Sequence, residues 1–256
     1  MMNNLLTDEN KKLILNIVKE LCPHKRTPKF SDSYILDNIL LIHNVVNIWR
    51  SLKHILHNEK IGHYTTIMKR FHLWTDAGVF DIAHKRLLNK NILSSINSNS
   101  TLTCYIDTTH INNMQGKENI NISENKKKKS TKLTTICNDN KKILEIKYDH
   151  LHDSNMVEPI VKSLKCKTNY RKINIVGDKA YKLNKHKLNS LKNDKVKMHV
   201  AQRKNQKIRT LSVTKKHLKQ RYKIENVFQQ LKTFSRIRIR MDTKTKNYMS
   251  LYIWLL

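Results

Sequence analysis

The chain has 256 residues, with 50 Lys and Arg against 20 Asp and Glu, so its formal net charge is +30. A surplus of this size predicts strong attraction to a polyanion such as nucleic acid. Codon bias in an AT-rich genome would favour Lys over Arg, but it does not explain why acidic residues are scarce. The length allows a small N-terminal module followed by one α/β domain.

The cysteines and the apolar segments indicate the compartment. Four cysteines are scattered along the chain without a C-x-x-C pair, which argues against a structural zinc site and against a disulfide framework. Charged residues from Asp8 onward interrupt the N-terminus, which therefore lacks the apolar core of a signal peptide. No apolar stretch is long enough to span a bilayer. We expect an intracellular protein without a membrane partner.

The N-terminal third of the chain predicts helices. Apolar side chains recur at helical spacing over 13–21, and Pro23 should end this helix. A second pattern runs over 35–49, with Ser31 or Asp32 as its cap.

Two shorter helical patterns, over 64–74 and 79–88, are separated by Gly78. A helix, a glycine turn and a second helix are typical of a helix-turn-helix, although small helical bundles share this outline. Lys69 and Arg70 add positive charge and are candidate DNA contacts. We therefore expect the first 95 residues to form a helical DNA-binding module.

The apolar pattern changes after a polar linker over 89–100. Alternation with period two over 102–107 predicts a strand that ends on an aspartate. The polar segment 112–130 predicts a mobile loop, and two strands over 131–138 and 142–148 predict a hairpin.

The remaining elements follow in chain order: a helix capped by Asp153 or Ser154, a strand over 173–176, a helix over 181–191, a short strand over 196–201, a basic stretch over 203–217 and an amphipathic helix from about Leu218. This order predicts a mixed sheet covered by helices over residues 96–256, in the order of the ribonuclease-H-like fold. The expected class is α/β, preceded by the small all-helical module.

Three acidic residues stand out in this second domain. Asp107 and Asp178 each follow an apolar strand, and Glu225 lies on the last helix. Each alone could be a solvated or capping residue, but side chains at strand ends project into the crevice where such folds place their sites. Two divalent ions about 4 Å apart, held by carboxylates, can activate an attacking oxygen and stabilise the leaving oxygen of a phosphodiester. Mg²⁺ prefers such oxygen ligands.

Several segments resemble one family in the same order along the chain. They are Tyr105-Ile-Asp107-Thr-Thr109-His, Lys129-Ser-Thr-Lys132-Leu-Thr-Thr with His152-Asp153-Ser154, Gly177-Asp178-Lys179-Ala180-Tyr181, the spacing of Arg221, Glu225 and Lys232, and Arg236-Ile-Arg-Ile-Arg240. These segments are similar to the catalytic blocks of DDE transposases of the bacterial insertion-sequence type, and Harbinger-type transposases share the same blocks. In the N-terminal part, Trp49-Arg50, Tyr64, Arg70-Phe71, Trp74 and Gly78-Val79-Phe80 resemble that family's DNA-binding module. One departure is Leu218, where the family signature often has tyrosine.

The resemblance implies a ribonuclease-H-like DDE domain that cleaves DNA at the ends of a mobile element and joins them to target DNA. It implies that Asp107, Asp178 and Glu225 are catalytic and hold two Mg²⁺ or Mn²⁺ ions. Arg221 and Lys232 match the basic residues that flank the glutamate, and Lys179 lies beside the second acid. On a helix Arg221 could pair with Glu225, or it could contact the DNA backbone.

The expected partners are double-stranded DNA, both element ends and target, and a second copy of the chain, because two ends must be handled together. Two other hypotheses remain at this point. One is a domesticated or decayed transposase that only binds DNA, and the other is a ribonuclease-H-like nuclease.

Overall fold

The computed structural model describes residues 6–45, 48–52, 64–93, 101–122, 128–148, 152–167, 172–201 and 212–255. The chain divides into two compact units. The helical unit comprises Met1–Leu87, Ile111–Ile120 and Leu231–Leu256, and the sheet unit comprises Leu88–His110 and Asn121–Gln230. None of the described helices is long and apolar enough to cross a membrane.

The N-terminal elements are α1 (Asp8–Leu21), α2 (Asp32–Val45), a 3₁₀ turn (Trp49–Ser51), α3 (Tyr64–Asp76) and α4 (Val79–Leu93). The chain returns to the helical unit at its C-terminus with α9 (Ser235–Arg238), β7 (Ile239–Arg240), α10 (Thr245–Met249) and a 3₁₀ segment (Ser250–Leu255). Packing thus groups the last residues of the chain with the N-terminal helices, while the predicted functional boundary near residue 95 stays a prediction.

Local signals explain where α1 to α4 begin and end. The Thr7 hydroxyl accepts a hydrogen bond from the Asn10 N–H and caps α1. The Ser31 hydroxyl accepts one from the Tyr34 N–H at 3.2 Å, so Ser31 rather than Asp32 caps α2. Gly78 adopts a φ of 76° between α3 and α4, a conformation that favours glycine.

Two boundaries in this region differ from the sequence predictions. The second helix ends at Val45, so Trp49 belongs to the separate 3₁₀ turn. The fourth helix continues to Leu93, within the predicted linker, and residues 94–100 lie outside the described part. The asparagines and serines that suggested a linker did not outweigh the helical spacing of the leucines before them, and Leu88 packs into the core of the sheet unit.

The sheet unit contains β1 (Thr101–Asn113), β2 (Asn121–Ile122), β3 (Lys129–Asn138), β4 (Ile143–Tyr148), α5 (Asp153–Lys167), β5 (Lys172–Gly177), a 3₁₀ turn (Lys179–Tyr181), α6 (Lys185–Asn193), β6 (Val196–Val200), α7 (Ser212–Lys219) and α8 (Tyr222–Thr233). The last three residues of β1 and of α8 are grouped with the helical unit.

The sheet is mixed. Its strand order is β2-β3-β1-β5-β6, with β4 paired to β3. Strand β5 pairs in parallel with both β1 and β6, whereas β3 and β4 form the predicted antiparallel hairpin. A buried cluster packs α5 against the sheet, including Val157, Ile160 and Leu164 with Cys104 and Ile106. The predicted α/β class, a mixed sheet with flanking helices, is confirmed.

The segment 112–130 is more ordered than predicted where the structure describes it. Strand β1 runs to Asn113, and its last residues pair with β7 in the helical unit. A Cβ atom on Gly116 would lie 2.5 Å from Arg240 Nε, so glycine is required by close packing. The Arg240 guanidinium donates to the Glu118 carbonyl at 2.9 Å. The polar composition of this segment predicted a loop. It could not reveal these contacts, because they join residues more than 100 positions apart in sequence.

Three smaller corrections concern helix starts. Helix α5 begins at Asp153, and the His152 ring accepts a hydrogen bond from the Ser154 N–H. The predicted helix over 181–191 is a 3₁₀ turn followed by α6, which Asn184 caps through the Lys187 N–H. The last helical pattern is divided into α7 and α8 by a turn, so Leu218 lies in α7. Most of the basic stretch over 203–217 lies outside the described residues.

Candidate active site

Two of the three predicted acids lie side by side in the sheet unit. The parallel pairing of β1 with β5 has Tyr105 opposite Val176 as its last pair. Asp107 and Asp178 each follow two residues later. They therefore occupy equivalent positions where this parallel pair ends, the edge at which open α/β sheets place ligands. Asp107 is within β1 rather than at its end, because the strand continues to Asn113.

Backbone and side-chain donors hold both carboxylates. One oxygen of Asp107 accepts from the Thr108 N–H at 2.9 Å, and the other lies 3.2 Å from Arg221 Nη2. Asp178 accepts from the Ala180 N–H at 2.8 Å and so caps the 3₁₀ turn. The Asp107 side chain is 22% exposed, so one side of the pair still opens to solvent.

The electrostatic environment disfavours the ionised form of Asp107. Burial is the main reason that the pKa of Asp107 is raised, and the neighbouring Asp178 carboxylate raises it further. The Thr108 N–H and the Arg221 guanidinium act in the opposite direction without cancelling the effect. Two carboxylates in this arrangement attract additional positive charge.

Arg221 supplies part of that charge from the turn between α7 and α8. It pairs with Asp107 and not with Glu225. Arg221 precedes the first residue of α8, so the two side chains do not have the spacing of neighbours on one helix. Its Nε is buried and has no hydrogen-bond partner among the described residues. Asp107 therefore satisfies only part of the hydrogen-bonding capacity of the Arg221 guanidinium.

Glu225 does not join the aspartate pair. It lies in the first turn of α8 with an exposed side chain, while Ile224, Val227 and Phe228 of the same helix are buried. Within the described ranges, no three acidic, histidine or cysteine side chains are grouped closely enough to hold a metal ion. The structure brings Asp107 and Asp178 together and leaves Glu225 apart from them, and the catalytic roles of all three acids stay predictions.

The predicted DNA-binding cations occupy different environments. Lys69 on α3 and Lys179 after β5 are exposed, and Lys232 on α8 is partly buried. Arg70 donates to Asp32 at 2.9 Å, contacts the His24 ring and lies over the Trp74 ring. These contacts give Arg70 a structural role within the helical unit, and its contact with DNA stays a prediction.

A hydroxyl network on the other face of β1 was not predicted. The Thr108 hydroxyl lies 2.5 Å from the Tyr181 hydroxyl and 3.0 Å from that of Thr134, and it donates to Asp153 at 3.2 Å. Lys132 pairs with Asp153 at 2.7 Å. Thr108 follows Asp107 directly and Tyr181 follows Asp178 by three residues, so this network connects the segments that carry the two acids.

A second set of contacts, between Asp139, Tyr105 and Lys223, was also not predicted from the sequence. Asp139 lies in the hairpin turn, where an aspartate is ordinary, and nothing in the pattern marks it. The one signal was Lys223, which is two residues from both Arg221 and Glu225.

Comparison with known proteins identifies the family. The profile described as "Transposase DDE domain" matches residues 99–256, more than half of the chain. The chain belongs to the transposase DDE domain family.

Among solved structures, this DDE domain protein is similar to a piggyBac transposase in a synaptic complex with hairpin DNA. The identity is 11% over 81% of this chain and 45% of that chain, with a TM-score of 0.35. A Mos1 strand transfer complex gives 10% identity over 68% of this chain and 59% of that chain, with a TM-score of 0.27. A pre-cleavage Mos1 transpososome gives 8% identity over 90% and 79%, with a TM-score of 0.28.

The chain thus spans less than two thirds of the first two of these transposases. Such distant similarity assigns no residue. No curated protein sequence matches the chain.

The aspartate pair of this DDE domain fits a hard divalent cation. Mg²⁺ is commonly held by one or two carboxylates, with water and substrate phosphate as its other ligands. Asp107 and Asp178 provide such a pair. The pKa of Asp107 is raised mainly by burial and further by the Asp178 carboxylate, and a bound cation would favour the ionised form of both acids. The two acids fit a single ion better than a complete two-ion centre.

Proposed function

We propose that the chain is a DNA transposase that binds the ends of a mobile element and catalyses metal-dependent strand cleavage and strand transfer. The observation that carries this proposal is the placement of Asp107 and Asp178 at equivalent positions on neighbouring parallel strands of a DDE domain. Water would attack a phosphodiester first, and the freed 3′ hydroxyl would then attack target DNA.

Asp107 and Asp178 are proposed to hold one divalent cation, Mg²⁺ or Mn²⁺. Glu225, which is exposed and lies apart from this pair in the structure, is proposed to join them as the third acid when DNA and a second ion bind. The cation would supply Lewis-acid stabilisation of the phosphate and a lowered pKa for bound water. Arg221 lies against Asp107 and is proposed to contact the phosphate beside the scissile bond, since a guanidinium can pair with two phosphate oxygens.

DNA binding is proposed to involve both parts of the chain. The net charge of +30 supplies attraction to phosphates that does not depend on sequence. We assign recognition of element ends to the helical module of residues 1–95, including Lys69. Lys179 and Lys232 are proposed phosphate contacts of the catalytic domain, and a homodimer is proposed to hold both ends.

One observation favours the second candidate, a DNA-binding protein that no longer cleaves. Glu225 is exposed and lies outside the aspartate pair. A catalytic centre reduced to two acids would keep the fold and the positive surface without efficient chemistry.

The experiment compares the wild-type chain with Asp178→Asn on duplexes that carry the DNA flanking the gene, with Mg²⁺ or Mn²⁺. The substitution keeps size and polarity but removes the charge that would hold the cation. We expect strand cleavage to fall about 1,000-fold or more. Gel-shift binding should be unchanged or slightly tighter, because one repulsive carboxylate is lost.

Asp194→Asn is the matched control, since Asp194 pairs with Lys165 at the surface of the same unit. Loss of binding together with cleavage in Asp178→Asn would show that Asp178 is structural. Binding without cleavage by the wild-type chain, with either metal, would select the second candidate.

A further inference from the structure

We propose that Asp139 is a positioning residue that, through Lys223 and Tyr105, holds the start of α8 against β1 so that Arg221 reaches Asp107. This inference rests on the proposed function, because it concerns the arrangement of the same site. It assigns a role in catalysis to a residue of the β3–β4 turn.

Three contacts define the arrangement. One carboxylate oxygen of Asp139 accepts hydrogen bonds from the Tyr105 hydroxyl at 2.8 Å and from Lys223 Nζ at 2.6 Å. The same Lys223 ammonium lies 5.3 Å from the centroid of the Tyr105 ring, within the range of a cation–π interaction. The three side chains therefore contact one another in a closed set.

The positions of these residues link the set to the aspartate pair. Tyr105 precedes Asp107 by two residues on β1, so both side chains lie on the same face of the strand. Lys223 follows Arg221 by two residues at the start of α8. The chain entering α8 thus contacts this face of β1 twice. Lys223 reaches Tyr105 directly and through Asp139 of the β3–β4 turn, and Arg221 reaches Asp107.

The charge of Asp139 is not needed for the turn in which it lies. The Asn138 side chain already accepts from the Asn140 N–H at 3.0 Å and from the Lys142 N–H at 2.9 Å. Lys141 adopts the left-handed conformation that closes the turn, with a φ of 62°. Any small polar residue would satisfy the turn at position 139. Its carboxylate serves contacts outside the turn.

Burial makes that carboxylate important for Lys223. The Lys223 side chain is only 15% exposed, and an ammonium with so little solvent needs a nearby anion. Tyr105 is almost fully buried, and burial together with its hydrogen bond to Asp139 raises the pKa of Tyr105. Tyr105 therefore remains a hydroxyl donor to Asp139. Without the negative charge, Lys223 would lose its counterion, and both donors would share at most a neutral amide oxygen.

The test compares Asp139→Asn with the wild-type full-length chain. Asp194→Asn is again the matched control: Asp194 is 47% exposed and Asp139 is 52% exposed, and each pairs with one lysine in the sheet unit. We expect kcat for strand cleavage to fall about tenfold in Asp139→Asn, with KM for DNA unchanged. Asp194→Asn should leave both constants unchanged, and Asp139→Glu should recover part of kcat.

Hydrogen exchange provides a readout that does not require activity. Amides of residues 222–230 should exchange several-fold faster in Asp139→Asn, with no change in the β3–β4 strands and no change anywhere in Asp194→Asn. If the wild-type chain cleaves no DNA but this local effect occurs, the positioning role stands and the proposed function fails. Unchanged exchange in 222–230, faster exchange throughout the sheet unit, or a matching effect of Asp194→Asn would overturn the positioning role.

Discussion

Two of the arginine–aspartate pairs in the described part of the chain, Arg236–Asp242 and Arg221–Asp107, differ in almost every physical respect. In the helical unit, Arg236 donates to both oxygens of Asp242, at 2.6 and 3.2 Å, and both side chains are at most 4% exposed. The Trp49 ring lies against the Arg236 guanidinium at 4.6 Å. In the sheet unit, Arg221 makes one contact of 3.2 Å with Asp107, and both side chains are more than 20% exposed.

The difference separates a pair that stabilises the fold from one available for chemistry. In the bidentate pair both oxygens of Asp242 already accept from Arg236, and the carboxylate is almost fully buried, so it is poorly accessible to a ligand. Asp107 is held less completely, is next to a second carboxylate and has a raised pKa because of burial. Perturbed carboxylates that remain accessible are typical of functional sites. The same substitution should therefore have opposite effects on stability in the two pairs.

The largest expected change in stability comes from Asp242→Asn. This variant leaves the buried Arg236 charge without a counterion, and breaking a buried pair costs about 3–5 kcal/mol. For a chain of this size the midpoint of thermal unfolding should fall by about 10 °C. Differential scanning calorimetry at pH 7 measures it.

The double variant Arg236→Met/Asp242→Leu distinguishes charge from packing. Apolar side chains of similar volume often replace a buried pair at little cost, so the double variant should be more stable than Asp242→Asn alone. If Asp242→Asn were as stable as the wild-type chain, the pair would not be a structural one.

The next prediction concerns the pKa of His43, which lies close enough to Arg236 to be affected by its charge. Its ring is fully buried against Phe234, and burial, followed by the Arg236 charge, lowers the pKa of His43 to about 3. Since the unfolded histidine titrates near 6.5, the unfolded state binds more protons between pH 6.5 and 3, and stability is lost as the pH falls through this window. At pH 5 the loss should be about 2 kcal/mol.

His43→Leu should remove this dependence. The free energy of unfolding of the variant, relative to wild type, should therefore rise by about 2 kcal/mol between pH 8 and pH 5, measured by urea titration at each pH. A difference that stays constant between the two pH values would contradict the assignment of a neutral, buried His43. Other acid-titrating groups cancel because both chains share them.

The sequence was most informative where a local pattern determines the structure. An alternating apolar pattern before Asp107 and a short apolar strand before Asp178 located both residues at the sheet edge, because strand patterns are local consequences of the chain. The family resemblance was confirmed over 99–256.

Long-range contacts were not predictable in this way. The segment Arg236 to Arg240 reads as a basic run, yet Arg236 and Arg240 are buried and Arg238 is exposed. Arg240 donates to nearby atoms of Asp242, Thr243 and Thr245, and also to the Glu118 carbonyl more than 100 positions earlier. Arg221 was expected on one helix with Glu225. It lies instead in the turn between α7 and α8, where it pairs with Asp107. Sequence spacing cannot reveal such breaks.

The smallest expected change concerns Asp107→Asn, the counterpart of Asp242→Asn in the accessible pair. Because the raised pKa of Asp107 means that its surroundings disfavour the ionised form, a neutral amide should stabilise the fold at pH 7. The gain should be about 1 kcal/mol, typical of a single favourable substitution at a functional site. This gain is a net value: it already includes the cost of leaving Arg221 without its partner, which is small because Arg221 is partly exposed.

The sign can be checked against pH. An acid whose pKa is raised in the folded state loses stability as the pH rises through that pKa, because folding then requires a buried charge. The advantage of Asp107→Asn should therefore be greatest at neutral pH and shrink toward acid, where wild-type Asp107 is itself neutral. Thermal unfolding of both chains from pH 4 to pH 8, without divalent ions, measures this. A variant less stable than wild type at pH 7 would mean that the Arg221 contact outweighs burial, and Asp107 would then resemble Asp242 rather than a carboxylate kept available for a cation.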